Sequence, residues 1–181
     1  GKKASDIECV EEPDALKALA LAIEKLRKGE ADILMRGDMA PGPFLGIVLD
    51  REKGLLKERV ASVVSVFDPP SVNRVTMVTD TYINSFPSIV EKVAITENVI
   101  RLAGVLGFAT PKIAALSAIE QVNPAIPSTM DAAILSKMAE RRQFGDVVLE
   151  GPLDIDCAVS RRAATRKGVH SAVTGHGDIY L

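Results

Sequence analysis

Apolar residues recur along the chain in two patterns, one typical of helices and the other of strands. Spacing of three and four residues places apolar side chains on one face of a helix and marks the helical stretches. Predicted helices cover about residues 11–28, 44–51, 87–106, 129–142 and 156–167. Gly29 and Gly107 directly follow two of them, and glycine is common just past a helix end. Ser128 and Asp131 have the spacing of a capping box at the start of the fourth helix.

Short apolar or β-branched runs predict the strands. They cover residues 6–10, 31–35, 60–67, 74–79, 111–117, 147–149 and 178–181. Gly151-Pro152 is predicted to break the sixth strand at once. Strands alternate with helices except within residues 60–79, where two runs are joined by a short Pro-rich loop, which predicts an antiparallel pair. The fold class is therefore predicted as α/β, with a mainly parallel sheet and helices on both faces.

Composition narrows the range of partners. The 181 residues are 47% hydrophobic and only 4% aromatic, which predicts an aliphatic core. The 22 basic and 24 acidic residues nearly balance, which argues against a nucleic-acid partner. No apolar run approaches the length of a membrane span and no signal-peptide pattern is present, so we expect a cytoplasmic protein without a membrane partner. Cys9 and Cys157 lie far apart and are predicted to be free thiols.

Polar residues follow several predicted strands and form the first candidate site. They are Arg36, Asp80, Ser117 with the nearby Glu120, and Glu150. The carboxyl ends of parallel strands meet at one sheet edge, where open α/β sheets bind ligands; Asp80 faces the other way if its strand is antiparallel. Backbone amides at Ser128 and Thr129, with Arg36, suit a phosphorylated or carboxylated small molecule. The alternatives are a salt bridge for Arg36 and a simple helix cap for Ser128.

Three carboxylates, at Glu150, Asp154 and Asp156, surround the predicted break after the sixth strand. They form either part of that site or a solvated acidic connection. Cys157 follows them with nothing nearby to activate it, so a buried structural thiol is expected. His170 and His176 lack a cysteine or carboxylate at matching spacing, so no metal site is predicted.

Seven stretches taken together resemble the phosphate acetyl/butyryltransferase family. They are residues 31–37 (ADILMRG), 49–55 (LDREKGL), 78–84 (VTDTYIN), 111–127 (PKIAALSAIEQVNPAIP), 128–133 (STMDAA), 147–160 (VVLEGPLDIDCAVS) and 168–181. The first two favour the butyryl branch. The resemblance implies transfer of a short acyl group between coenzyme A and inorganic phosphate, with no metal and no tightly bound cofactor. It also implies a homodimer with a fold like isocitrate and isopropylmalate dehydrogenases. Independently of the resemblance, the two-strand interruption at residues 60–79 predicts a subdomain boundary or a dimer ribbon.

The resemblance also implies the residues of the site. Contacts to phosphate and coenzyme A are expected at Arg36, Gly37, Asp80, Glu120, Asn123, Ser128, Thr129, Gly151 and Pro152. Glu150 and Asp156 are the candidate bases for the coenzyme A thiol, although an exposed carboxylate with a pKa near 4 matches a thiol poorly. Arg36 stands where butyryl-type proteins usually have Lys, and Glu150 where they usually have Asp.

Family members extend further at both ends, and their Ser-Arg catalytic motif has no counterpart in these 181 residues. We therefore expect the sequence to be part of a longer chain, and a polypeptide ending at Leu181 to have little or no acyltransferase activity. Two alternatives remain: a noncatalytic acyl-coenzyme A sensor, and a structural or assembly module with the same fold. Coenzyme A binding without turnover would indicate the sensor, and no ligand binding would favour the module.

Overall fold

The computed structural model describes residues 7–57, 60–70 and 74–181. Its elements are α1 (Ala15–Lys28), α2 (Pro41–Val48), β1 (Val64–Phe67), β2 (Thr76–Thr79), α3 (Ile89–Val105), β3 (Lys112–Leu116), α4 (Pro127–Glu140), β4 (Val148–Leu153), α5 (Ile155–Val159), α6 (Arg161–Arg166) and β5 (Ile179–Tyr180). The chain divides into two compact units, residues 1–59 and residues 60–181. None of the described helices has the length and apolar character needed to cross a membrane.

Helix α1 organises the first unit and confirms the predicted helix. Its N-cap is Asp14, whose carboxylate accepts the backbone N–H groups of Leu16 and Lys17 at 2.9 and 3.1 Å. Gly29 ends the helix at φ +76°, a conformation that glycine adopts without a steric penalty. The guanidinium of Arg27 donates to two backbone carbonyls after α2, those of Glu52 and Lys53, and so ties the helix to this turn.

Two predicted strands of the first unit are wrong. Residues 31–35 form no strand, and the side chains of Ile33 and Met35 are 82% and 87% exposed. Residues 7–10 form none either, and residue 6 lies outside the described residues. An apolar run becomes a strand only where a neighbouring strand pairs with its backbone groups, and the described part of this unit contains no such partner.

The second unit contains a five-stranded sheet in the order β1-β2-β5-β3-β4. Strands β2, β5, β3 and β4 run parallel, and β1 pairs antiparallel with β2. This confirms both the mainly parallel sheet and the antiparallel pair predicted within residues 60–79. Residues 71–73 of the connecting loop lie outside the described residues. The predicted role of residues 60–79 as a subdomain boundary or dimer ribbon stays a prediction.

Helices cover both faces of the sheet, as predicted, because successive strand residues point to opposite sides. Ile113 and Ile179 face α3 and α4, and Ala114 and Tyr180 face α5 and α6. The first core cluster consists of Met77, Val99, Ala103, Ile113, Ala115, Ala132, Leu135, Ala139, Phe144, Leu149 and Ile179. The second consists of Ala114, Leu153, Cys157, Ala158, Ala164, Val173 and Tyr180.

The start of α4 differs from the prediction. Its N-cap is Ile126 and Pro127 is the first helical residue, so the capping box predicted at Ser128 and Asp131 is wrong, as is the alternative of Ser128 as a simple cap. The Ser128 hydroxyl instead bonds to that of Ser117, which follows β3, and the Asp131 carboxylate pairs with Lys92 of α3. A capping box does occur at α3, where the Ser88 hydroxyl accepts the N–H of Glu91 and the Glu91 carboxylate accepts the N–H of Ser88. The single helix predicted over residues 156–167 is divided into α5 and α6.

Strand β4 continues through Gly151-Pro152 to Leu153, so the prediction that this pair breaks the strand is wrong. Pro152 has no N–H to donate to a neighbouring strand. An edge strand such as β4 tolerates this, because it has a neighbouring strand on one side only. Gly151 is required by close approach to β3. A Cβ there would lie 2.5 Å from the carbonyl oxygen of Ala115 and 2.7 Å from the Ala115 Cβ.

Candidate functional site

A cavity of about 230 Å³ opens at the carboxyl ends of β2, β3 and β5, and we call it the strand-end cavity. Its described lining residues all belong to the second unit. Its buried lining is mainly apolar and includes Ile95, Ala115, Ala132 and Leu135, with Thr79 as a buried polar member. Its more accessible lining is mainly polar, with Asp80, Asn84, Ser85, Lys92, Ser128 and Asp131 beside the apolar Pro87, Leu116 and Leu181. The cavity therefore offers an apolar surface beneath a polar entrance, a combination typical of small-molecule sites.

Asp80 shapes one wall of the strand-end cavity. Its carboxylate accepts the backbone N–H groups of Tyr82, Ile83, Asn84 and Val63 at 3.0–3.2 Å, and the side-chain amide of Asn84. Partial burial opposes ionisation, but these donors outweigh it and hold the pKa of Asp80 below its usual value. Since β2 runs parallel to β5, Asp80 lies on the same sheet edge as the ends of β3 and β5. Its carboxylate is thus engaged by the chain's own donors.

Lys92 and Asp131 join α3 to α4 across the cavity. The Lys92 Nζ lies 2.5 Å from the Asp131 Oδ2, and about a quarter of each side chain is exposed. One turn earlier in α4, the Ser128 hydroxyl lies 2.7 Å from the hydroxyl of Ser117 at the end of β3. Sequence analysis did not identify Lys92. One feature of the sequence could have identified it. Lys92 precedes Ile95 by three residues and Thr96 by four, so it lies on the same helix face as these buried residues.

A second cluster, the Lys167 cluster, lies at the carboxyl ends of β3 and β4 and consists of Glu120, Asp154, Asp156 and Lys167. The Lys167 ammonium lies 2.7 Å from Glu120 and 2.9 Å from Asp156, and also pairs with Asp154. Its hydrogen bond is the main reason that the pKa of Glu120 falls to about 2. The three carboxylates raise the pKa of Lys167 above its usual value. The negative charge of the acidic connection is therefore partly neutralised by Lys167.

Cys157 adjoins the Lys167 cluster and fits the expected structural role. It is fully buried, and its thiol donates to Glu120 at 3.4 Å. Burial, with the neighbouring Asp154 and Glu120 carboxylates, raises the pKa of Cys157 to about 12. The thiol therefore stays protonated and is a poor nucleophile. Ligand-type atoms of Glu120, Asp154, Asp156 and Cys157 lie within 4.8 Å of one another, but the Lys167 ammonium already supplies a cation to the three carboxylates.

The prediction that Glu150 follows its strand is wrong, because β4 extends past it to Leu153. It lies within β4 opposite Ala114, and its carboxylate accepts the N–H of Ala172 at 3.5 Å. Glu150 is absent from the lining of the strand-end cavity. The other candidate base, Asp156, lies against Lys167 in the second cluster. The structure thus places the two candidate bases in different surroundings.

The remaining candidates occupy three places. Thr129 is buried, and its hydroxyl bonds to Asn123 N–H and to the carbonyls of Asn123 and Ile126, which fixes the loop before α4. The Asn123 side chain accepts the N–H of Ala125 within the same loop. Gly151 and Pro152 belong to β4. Arg36 and Gly37 belong to the first unit, where the Arg36 guanidinium donates to the carbonyl of Met39.

Comparisons with known proteins identify relatives along the whole chain. The family model described as phosphate acetyl/butaryl transferase matches residues 1–181. The phosphate butyryltransferase of Clostridium acetobutylicum is 40% identical over 181 residues, which cover 100% of this chain and 60% of that protein. The phosphate acetyltransferase of Thermotoga maritima is 41% identical over 161 residues, 89% of this chain and 55% of that protein.

Solved structures give the same family of neighbours. A branched-chain phosphotransacylase from Enterococcus faecalis V583 has a TM-score of 0.84 at 29% identity, over 94% of this chain and 61% of that chain. A phosphotransacetylase from Streptococcus pyogenes has a TM-score of 0.70 at 20% identity, over 90% and 49% of the two chains, which shows a shared fold. The chain thus spans between half and three fifths of the length of these relatives.

Proposed function

Because the chain belongs to the phosphate acetyl/butyryltransferase family, we propose that the protein containing it transfers a short acyl group between coenzyme A and inorganic phosphate. The family match over residues 1–181 carries this proposal. The strand-end cavity supports it, since it lies at the sheet edge where α/β proteins bind small molecules. Coenzyme A serves as a substrate, and the reaction needs no tightly bound cofactor.

The reaction is a direct acyl transfer. In the direction of thioester synthesis, the sulfur of coenzyme A attacks the carbonyl carbon of the acyl phosphate, a C–S bond forms, and the C–O bond to phosphate breaks. The thiol loses its proton, and phosphate leaves with the electron pair. Positioning of the two substrates and stabilisation of the oxyanion supply most of the rate in such transfers. Lys92 and Ser128 offer hydrogen-bond donors at the entrance of the strand-end cavity.

The site residues are proposed in two groups. In the first unit, Arg36 and Gly37 are proposed to contact phosphate or the coenzyme A phosphates. In the second unit, the proposed substrate-binding residues are Asp80, Glu120, Asn123, Ser128, Thr129, Gly151 and Pro152. Glu150 and Asp156 are the proposed bases. Glu150→Gln and Asp156→Asn test them separately: loss of the base lowers kcat and removes the acidic limb of the pH–rate profile. A variant that keeps both the rate and the profile excludes its residue from this role.

The proposed contact of Arg36 with phosphate has its own test. Replacing Arg36 by Ala removes one charged hydrogen bond, which is worth about 1.5–3 kcal/mol. We expect the KM for phosphate to rise about tenfold or more, while Arg36→Lys retains part of the affinity. If Arg36→Ala leaves both the phosphate KM and kcat unchanged, the guanidinium serves its own loop through the Met39 carbonyl.

A homodimer in the cytoplasm is the proposed setting. Strand β1 lies at the edge of the sheet, and about half of the Val66 and Phe67 side chains is exposed. An open edge with apolar side chains tends to pair, which supports a second copy as its partner. Free thiols at Cys9 and Cys157 support a reducing compartment. Light scattering at high micromolar concentration tests the dimer, and a monomer mass would contradict it.

The decisive experiment measures acyl phosphate formed from acyl-coenzyme A and phosphate, trapped as the hydroxamate, alongside release of free thiol. We expect both products in equal amounts, with butyryl- and acetyl-coenzyme A as substrates. Because relatives of both kinds are about 40% identical, the preference for butyryl groups is part of the proposal and is measured by the ratio of kcat/KM values. Binding of acyl-coenzyme A without either product would refute the enzyme and indicate the sensor.

A further inference from the structure

The charge of the strand-end cavity does not favour a phosphate group. Among the described residues, its ionisable lining side chains are the carboxylates of Asp80 and Asp131 and the ammonium of Lys92, which already lies 2.5 Å from Asp131. A phosphate dianion placed there would meet two negative charges and a cation whose charge is largely compensated. The cavity therefore suits an uncharged part of the substrate.

The buried lining of the cavity is suited to a short hydrocarbon chain. Ile95, Ala115, Ala132 and Leu135 are each no more than 3% exposed and come from α3, β3 and α4. The two alanines are the small members of this surface, one on the sheet and one on the facing helix. A volume of about 230 Å³ corresponds to roughly eight water molecules at about 30 Å³ each, which is enough for a four-carbon acyl group but not for coenzyme A.

We propose that the strand-end cavity is the acyl pocket and that Ala132, facing Ala115, sets the length of acyl chain it accepts. The inference rests on the proposed acyltransferase function and identifies the part of the substrate that this cavity binds. The hydrocarbon end of the acyl group contacts Ile95 and Leu135, and the acyl carbonyl lies toward the polar entrance at Lys92 and Ser128. Phosphate is bound by residues outside this cavity.

The first test narrows the pocket with Ala132→Val in the complete protein. Two added methyl carbons occupy the space of the terminal carbons of a butyryl group. A difference of one methylene in an apolar pocket changes kcat/KM by about tenfold or more. We expect the butyryl-to-acetyl ratio of kcat/KM to fall at least tenfold, while the KM for phosphate changes less than twofold. An unchanged ratio, or a loss confined to phosphate, would overturn the inference.

A matched control separates pocket shape from general core packing. Ala103→Val adds the same atoms to a fully buried alanine of the neighbouring helix α3, in the same core but outside the cavity lining. Its butyryl-to-acetyl ratio should equal that of the unmodified protein. An equal change of the ratio in both variants would assign the effect to packing and refute the pocket.

Ile95→Val tests the inference in the opposite direction and keeps it testable if Ala132→Val does not fold. Removing one methyl group lengthens the pocket, so the ratio of hexanoyl to butyryl kcat/KM should rise about threefold to tenfold. No rise would contradict the assignment. Circular dichroism and thermal melting establish that each variant is folded.

Calorimetric binding of butyryl-coenzyme A and free coenzyme A, without phosphate, distinguishes this inference from the proposed function. We expect the butyryl thioester to bind more tightly, and Ala132→Val to abolish that difference while free coenzyme A binds as before. This result without turnover would keep the acyl pocket and reject the acyltransferase. Turnover with an unaltered difference in Ala132→Val would reject the pocket and keep the acyltransferase.

Discussion

Gly151→Ala should destabilise the protein because β3 and β4 approach each other too closely at this position for a side chain. The added Cβ would lie 2.5 Å from the carbonyl oxygen of Ala115 and 2.7 Å from its Cβ, whereas ordinary contacts begin at about 3.4 Å. One of the atoms in conflict is backbone, so a side-chain rotation cannot relieve the overlap. The two strands must separate locally by almost 1 Å, in an interior packed as densely as a crystal.

Two effects of Gly151→Ala lower the free energy of unfolding, and a smaller one raises it. Overpacking a core position typically costs about 1–3 kcal/mol. The shift also strains the bond from the Ser136 hydroxyl to the Gly151 carbonyl, now 3.0 Å long and worth about 1 kcal/mol. Alanine restricts the unfolded chain and returns about 0.4–1 kcal/mol. The net loss in the free energy of unfolding should be about 1–3.5 kcal/mol.

Urea unfolding monitored by circular dichroism measures this loss as a lower midpoint at an unchanged m-value. Gly104→Ala is the matched control, because nothing lies within 4 Å of its Cβ position in α3, and alanine there should stabilise by about 0.5–1 kcal/mol. A Gly151→Ala midpoint equal to or above that of the unmodified protein would refute the steric argument. Normal stability with lost coenzyme A binding would instead indicate that Gly151 contacts the substrate.

Three further predictions concern charged and buried groups. Lys167→Met should lower the melting temperature at pH 7 by leaving three carboxylates without their cation, and the deficit should shrink as pH falls from 5 toward 2. The reason is that the pKa of Glu120 is about 2 in the folded chain, against 4.5 ordinarily. The ion pair therefore contributes fully to folding stability above pH 4.5, and this contribution is lost on acidification. A deficit in melting temperature that stays constant with pH would contradict this. Asp80→Ala should raise amide hydrogen exchange at Tyr82, Ile83 and Asn84 by about tenfold, and unchanged exchange would exclude Asp80 as their acceptor. Under native conditions a thiol reagent should modify Cys9 and spare Cys157, whose pKa is raised to about 12; rapid reaction of both would refute its burial.

The sheet and its helices were predictable because periodicity reports which side of an element is buried. The exposed Ile33 and Met35 show the limit of that signal, since an apolar run does not reveal whether a pairing strand exists. The sequence predicts that β4 ends before Gly151-Pro152, because this pair is an ordinary turn signal. Only its position at a sheet edge beside Ala115 explains why the strand continues.

The candidate site was less predictable because its ionic contacts join distant parts of the chain. Lys92 and Asp131 are 39 residues apart, and Glu120 and Lys167 are 47 apart. Spacing along the sequence carries information about neighbours within one helix or strand, and none about a partner on another element. The prediction could therefore gather Asp80, Glu120 and Ser128 at one sheet edge, but not assign them to two separate clusters.

The position of β5 has a consequence for biosynthesis. In the described sheet, β1 pairs with β2 and β3 pairs with β4, and residues 178–181, which include β5, bond to both pairs. A nascent chain emerging from the ribosome therefore carries two incomplete ribbons, each with an open inner edge, until residues 178–181 have been translated. We therefore expect a nascent chain that lacks residues 178–181 to expose two open strand edges and to aggregate more readily than one that contains them.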